Sequence, residues 1–308
     1  MNKLKKVGLT ALATTLVASS AFAGEMSVSG SASLNYSGVS TSSNTNPWTM
    51  GDSVTFSGGG DLDNGMTVGV SYELDGGNYD DYKLTLGLGD GMGDLTFSGN
   101  SVNAGGIDTV KDIVPTAYTA VYENTNAVDN GVAAGVGGRS TASMWGYTNT
   151  VGDLTVSLGY NAINSTAAED KAESSVGLSY SMDDVTLVAG RFNDGDVSTG
   201  DTIGIKYTMG GLTGAIQRSD INYDGTTADQ EAMHVGVSMA INENLSVSVG
   251  RQKIEIDGAV NDEINTGMSA SYTMGSITFG GGFNEVEDAS GTTGADAEAT
   301  MLNIAFAF

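Results

Sequence analysis

An all-β chain, closing into an antiparallel barrel of sixteen strands, is predicted by three features of the sequence. Hydrophobic residues alternate with small or polar ones over many short segments, most clearly at the end, where Thr300, Leu302, Ile304, Phe306 and Phe308 take every second position. A turn unit recurs in Tyr180-Ser-Met182-Asp-Asp-Val185-Thr186, Tyr207-Thr-Met209-Gly-Gly-Leu212-Thr213 and Tyr272-Thr-Met274-Gly-Ser-Ile277-Thr278. Proline, which paired strands exclude, occurs only at Pro47 and Pro115.

The chain opens with Lys3, Lys5 and Lys6, an apolar run from Val7 to Ala18, and Ala21-Phe22-Ala23. That order reads as a secretory signal over residues 1–23, followed by one barrel domain over 24–308. No stretch reaches the 18 or so apolar residues of a spanning helix. Removing the three lysines takes the net charge from −25 to −28 (−25 − 3), which argues against a nucleic-acid partner and for cations near the surface or in a cavity. Cysteine is absent, so disulfide and thiolate-metal frameworks are excluded.

Taken in order, the alternating segments are 26–37, 53–62, 66–75, 81–89 and 94–100, then 141–149, 153–161, 172–182 and 184–192. The last seven are 201–209, 211–219, 231–240, 244–254, 264–274, 276–286 and 297–308. Sixteen is even, so both ends fall on one side. Most segments approach the 9 to 11 residues that a tilted spanning strand needs. Short turns of Gly-Gly, Gly-Ser or Asp-Asp alternate with longer acidic connections at 38–52, 161–171, 192–201, 219–230, 254–263 and 286–297. A soluble protein rarely leaves a long apolar strand such as the last one unpaired, whereas a barrel whose apolar face meets lipid removes that edge.

A terminal strand of alternating hydrophobics ending in Phe308 resembles the closing strand and assembly signal of Gram-negative outer-membrane barrels. The long interruption at 101–140 follows the fifth strand, as the constriction loop does in general porins, and with the strand count and the Phe end the whole mature chain resembles that family, in particular its alphaproteobacterial type. The resemblance implies a homotrimer in outer-membrane lipid and lipopolysaccharide, recognition by the barrel-assembly machinery through the strand ending at Phe308, and passive diffusion through a water-filled lumen.

Within the interruption, Asp108, Asp112, Glu123 and Asp129 outweigh Lys111 and Arg139, and are expected as a ring of carboxylates that attracts cations; the alternative is a solvated external loop. Arg191, Arg218 and Arg251 each lie six positions after the first apolar residue of a strand, Val185, Leu212 and Leu245. Strict alternation points them outward, inside an apolar band roughly 25 Å tall, where lipid exposure is costly. Gly190 and Gly250 precede two of them and permit a bulge that reverses the facing. The expectation is therefore a basic lumen wall of Lys83, Arg191, Lys206, Arg218 and Arg251 opposite the acidic loop; the alternative is an outward position at the lipid boundary.

No nucleophile-elbow, dinucleotide or Walker sequence occurs, and His234 is the only histidine, placed by alternation on the lumen face as a polar lining residue, so no enzyme is expected. Trp48 and Trp145 read as interfacial anchors, Trp145 alternatively as a subunit contact. No cofactor is expected beyond structural calcium in an acidic loop such as Asn193, Asp194 and Asp196. The functional alternatives to a cation-preferring diffusion pore are a substrate-selective channel, or an enzyme or adhesin on a barrel scaffold.

Overall fold

The computed structural model describes residues 26–41, 46–62, 64–99, 105–123, 144–162, 172–195 and 197–308. The expected signal segment, Asp129, Arg139 and Asp196 lie outside these residues. Five strands precede the long connection: β1 (Met26–Val39), β2 (Trp48–Asp61), β3 (Thr67–Asp75), β4 (Asn78–Gly87) and β5 (Asp94–Gly99). Eleven follow it. The first six are β6 (Met144–Val151), β7 (Leu154–Asn161), β8 (Glu173–Met182), β9 (Val185–Asn193), β10 (Ser198–Met209) and β11 (Leu212–Tyr223). The last five are β12 (Gln230–Ala240), β13 (Leu245–Ile256), β14 (Glu263–Met274), β15 (Ile277–Glu287) and β16 (Ala297–Ala307).

Every strand pairs with its sequence neighbours, and β1 pairs with β16, so the sheet is a closed antiparallel barrel. The repeated turn unit closes hairpins of two residues, with Met182 opposite Val185, Met209 opposite Leu212 and Met274 opposite Ile277. The first turn residue has positive φ in each, at Asp183 (50°), Gly210 (60°) and Gly275 (63°), as the primed hairpin turns require. The threonine beside each turn also has a reason. Thr208 and Thr213 pair their hydroxyls at 3.3 Å, and Thr273 and Thr278 at 3.1 Å, so cross-strand hydrogen bonds brace the turn.

Several strands outrun their hydrophobic stretches. β2 begins at Trp48, β10 begins at Ser198, β11 reaches Tyr223 and β13 reaches Ile256, so the longer connections shrink to 40–47, 194–197, 224–229, 257–262 and 288–296. Alternating hydropathy marks only the part of a strand that lipid touches; the backbone ladder continues beyond it because it needs only the neighbouring strand. β3 to β7, by contrast, have only 9, 10, 6, 8 and 8 residues, and the wall is low there.

Candidate functional site

The two faces of the sheet differ in chemistry. One carries Leu84, Leu158, Leu178, Leu187, Ile203, Ile216, Val249, Phe283 and Leu302, all exposed; the other carries small and polar residues such as Ser71, Ser157, Gly177, Gln217, Ser248 and Asn265. Backbone groups of a closed barrel are satisfied within the sheet, so the apolar face is the one that can meet lipid and the polar face lines the lumen.

Residues 105–123 lie along that polar face from β7 to β16. The segment begins with a short 3-10 turn (Gly106–Thr109). Wall side chains then satisfy its backbone one strand after another: the N–H of Gly106 donates to Ser157 Oγ at 2.9 Å, that of Ile113 to Gln217 Oε1 at 3.0 Å, that of Ala117 to Ser248 Oγ at 2.8 Å and that of Tyr118 to Ser269 Oγ at 3.0 Å. Gln217 Nε2 donates to the carbonyl of Val110 at 2.8 Å, and Asn284 Nδ2 to those of Ala120 and Glu123 at 2.7 and 3.1 Å. Buried backbone groups need such partners. These five wall residues were not singled out by sequence reasoning; their signal was an amide or hydroxyl at a lumen-facing position.

Apolar packing completes the seat. Ile107 and Val110 are buried against Val188, Phe192, Ile221, Ala232 and Ile254, lumen-facing residues that would otherwise meet water. Burying Ile107 fully contributes about 2 kcal/mol. Glycines give the close approach: a Cβ on Gly190 would lie 2.6 Å from Ile107, one on Gly236 2.6 Å from Val114, and one on Gly250 3.0 Å from Val121.

Of the four expected loop acids, three fall on described residues. Asp112 and Glu123 are exposed to the lumen, whereas Asp108 is held by Lys111 at 2.5 Å. Crowding by the loop and wall pushes the Asp112 carboxyl above the usual 3.8, against the opposing effects of the Tyr122 hydroxyl, 3.4 Å away, and of Lys111.

The expected basic wall does not form. Arg191 stands opposite Val176 and Asp201, Arg218 opposite Ile203 and Met233, and Arg251 opposite Val235 and Thr266, with no register shift in any of these ladders. All three stay on the face of Leu187, Ile216 and Val249, outside the barrel. Gly190 and Gly250 seat the loop rather than forming bulges, and acids next to Arg191 and Arg218 offset the cost at the lipid boundary. Arg218 donates to Glu231 at 2.7 and 2.9 Å and to Asp220 at 3.0 Å, and Arg191 to Asp201 at 3.4 Å. Lys83, between Ser71 and Ser98, and Lys206, between Thr186 and Ala215, do face the lumen. Only Lys83 stands across from the loop; Lys206 lies on the loop-bearing wall, two residues beyond the seat of Ile113 at Gly204.

His234 is on the lumen face but beneath the loop, 7% exposed, with its ring 6.0 Å from that of Tyr122, so it packs the loop instead of lining open water. Trp48 and Trp145 point outward, Trp145 against Phe97 at 4.9 Å. Among the described residues no group of three or more His, Asp or Glu is arranged to hold a metal ion.

A family model described as Gram-negative porin matches residues 8–308. The chain belongs to the Gram-negative porin family. No curated protein matches. Among solved structures, this porin is similar to OmpT of Vibrio cholerae in its loop-deleted form (12% identity, TM-score 0.71, covering 92% of this chain and 99% of that one). It is also similar to the anion-selective porin of Comamonas acidovorans (13%, TM-score 0.65, 92% and 100%) and to a variant of the Rh. blastica porin (15%, TM-score 0.65, 92% and 100%). At these identities the structures establish the shared fold; the family match places this porin in the bacterial outer membrane as a channel for passive diffusion.

Proposed function

We propose that this porin is a cation-preferring diffusion channel for small hydrophilic solutes, narrowed by the segment 105–123. The observation that carries this reading is the placement of charge: Asp112 and Glu123 open to the lumen, while the three strand arginines sit outside it. Across from the loop, the inward positions of β1 and β2 carry no basic residue: they include Ser27, Ser29, Ser31, Ser33, Asn35, Thr49, Ser53, Thr55 and Ser57, with Asp61 at the end of β2. Carboxylates in a narrow pore raise the local cation concentration and exclude anions. The same fold serves a porin named anion-selective in Comamonas acidovorans, so the preference follows side chains and not architecture. Reversal potential in a KCl gradient across a planar bilayer tests the reading: a potential of cation sign is expected, and one of anion sign overturns it.

The assembly unit is a homotrimer. In support, the outward side of the low wall carries successive ring contacts, Tyr72 to Tyr79 at 6.2 Å, Tyr79 to Tyr82 at 5.8 Å, Tyr82 to Phe97 at 6.1 Å and Phe97 to Trp145. Crosslinking of the detergent-extracted protein gives three bands if this is right. The terminal strand is the segment recognised by the barrel-assembly machinery; Phe308 closes the barrel through two backbone hydrogen bonds with Gly30, at 2.7 and 2.9 Å, leaving its ring 78% exposed.

A further inference from the structure

Among the described residues, every strand pairing keeps an unbroken register except that of β3 with β4. There Tyr72 pairs with Tyr82 and Leu74 with Tyr79, so Glu73 alone stands opposite both Asp80 and Asp81. This is a β-bulge, with one extra residue on β4. The rings of Tyr72, Tyr79 and Tyr82 lie together outside the barrel, Tyr79 stacked on Tyr82 at 5.8 Å. With outward residues on either side of them, the two aspartates share the inward side with Glu73, whose neighbour on β2 is the inward Thr55. Strict alternation from Tyr82 would have turned Asp80 outward and Tyr79 into the lumen; the extra residue reverses both.

The bulge lies at the height of the constriction. Gly190, Gly250 and Gly282, against which Ile107, Val121 and Thr119 pack, are each the sixth residue of an odd-numbered strand. Glu73 is the seventh residue of β3, which starts at the same end of the barrel. In a ring of sixteen, β3 and β4 stand eight strands from β11 and β12, where Gln217 and Gly236 hold Ile113 and Val114. Asp112 precedes that pair and opens to the lumen, so the acids of the bulge face it across the narrowed passage. One base stands among the three carboxylates, Lys83, two positions after Asp81. Asp80 and Asp81 have further partners, whereas Glu73 makes no hydrogen bond or ion pair among the described residues and is the carboxylate left for solute.

Acids on one side of a pore and bases on the other set up a field across it, whereas acids on both sides lower the potential along its whole axis. The second arrangement reads valence as well as sign. Partition depends exponentially on charge times potential, so whatever factor the potential gives a monovalent cation, a divalent cation receives its square. We propose that Glu73, with the two aspartates that the bulge turns inward, is a selectivity-determining wall of this pore, and that the solutes it favours are doubly charged cations. The inference rests on the cation preference assigned to the loop acids and adds to them a second group on the far wall.

Reversal potentials in KCl and in MgCl2 gradients, with the full-length protein inserted into planar bilayers, test it. Glu73→Gln is isosteric and leaves the bulge in place, and Asp80→Asn with Asp81→Asn removes the other two charges. Glu285→Gln, opposite Glu298 on the outer face of β15, is the control. Far-UV circular dichroism certifies the sheet in each variant. Glu73→Gln is expected to lower the K+/Cl− permeability ratio about two-fold, the size of one exposed charge–charge contact, and the Mg2+/Cl− ratio about four-fold. The aspartate pair should act in the same direction, and Glu285→Gln should change neither ratio. Placed on top of Asp112→Asn with Glu123→Gln, Glu73→Gln should remove the cation preference that this pair leaves behind. Unchanged ratios in Glu73→Gln overturn the proposal. So does a fall of equal size in Glu285→Gln, which assigns the effect to charge anywhere on the barrel, or an equal fall for K+ and Mg2+, which shows that valence is not read. A wild type that prefers anions ends the loop reading and this one together, whereas a cation-preferring wild type indifferent to Glu73→Gln ends only the second.

Discussion

The wall from β7 to β16 and the wall from β1 to β5 share one strand chemistry on their outer surfaces and opposite chemistries within. On the first, inward positions are occupied by Gly177, Gly190, Gly236 and Gly250, by buried Val188, Phe192, Ile221 and Ile254, and by amides and hydroxyls that hold the loop. On the second, the inward positions of β1 and β2 are mostly serine, threonine and asparagine, and Ser31 reaches only Ser53, at 3.1 Å. Glycine and buried apolar groups inside a barrel mark where protein replaces water; a face of hydroxyls without buried apolar partners marks where water remains.

Breaking the loop-bearing side should give the largest effect. Gly190→Val and Gly236→Val put atoms where Ile107 and Val114 now sit, and overpacking of this kind costs about 1 to 3 kcal/mol. Single-channel conductance should rise with loop displacement, while Ser31→Val on the open wall leaves it nearly unchanged. If the two sides respond alike, the division between them is lost.

Charge comes next. Asp112→Asn with Glu123→Gln should move the KCl reversal potential most of the way toward zero, whereas Lys83→Gln should move it slightly further toward cations. Acid titration sharpens the same point. Crowding by the loop and wall strips water from the Asp112 carboxyl and raises its pKa although the side chain opens to the lumen, so its carboxylate is neutralised at a pH above the usual 3.8, and cation preference should start to weaken there in the wild type but not in Asp112→Asn. The sign for stability follows: a raised carboxyl pKa favours the docked loop at low pH, and that contribution is lost as pH rises through the folded value, so Asp112→Asn should leave the loop at least as well docked at neutral pH. Hydrogen exchange of residues 107–121 would report it.

The smallest effect belongs to the outer rim. Arg218→Gln removes an exposed ion pair, and thermal unfolding in pure detergent should shift only slightly. A larger loss would mean that the rim braces the barrel.

Strand number, hairpin turns, facing and the closing strand were legible because period-two alternation and the Tyr-x-Met-turn-apolar-Thr unit are local signals that the ladder simply extends. The loop was legible as an interruption but not as a structure, since Gln217, Ser248, Ser269 and Asn284 meet it from positions more than 100 residues away. Gly190 and Gly250 show the limit most directly. A glycine that lets a strand bulge and a glycine that lets a second segment approach look identical in a linear pattern, and the choice between them decided which side three arginines took.

What the sequence by itself determined is a barrel of sixteen amphipathic strands with a long acidic insert after the fifth, because alternation, turns and proline exclusion act between near neighbours. The tertiary structure alone decided which wall the insert covers, that Lys206 lies on the covered side, and that the arginines stay with the lipid. Those outcomes depend on volume and hydrogen-bond satisfaction between segments far apart in the chain, and neither quantity is written in any one stretch of it.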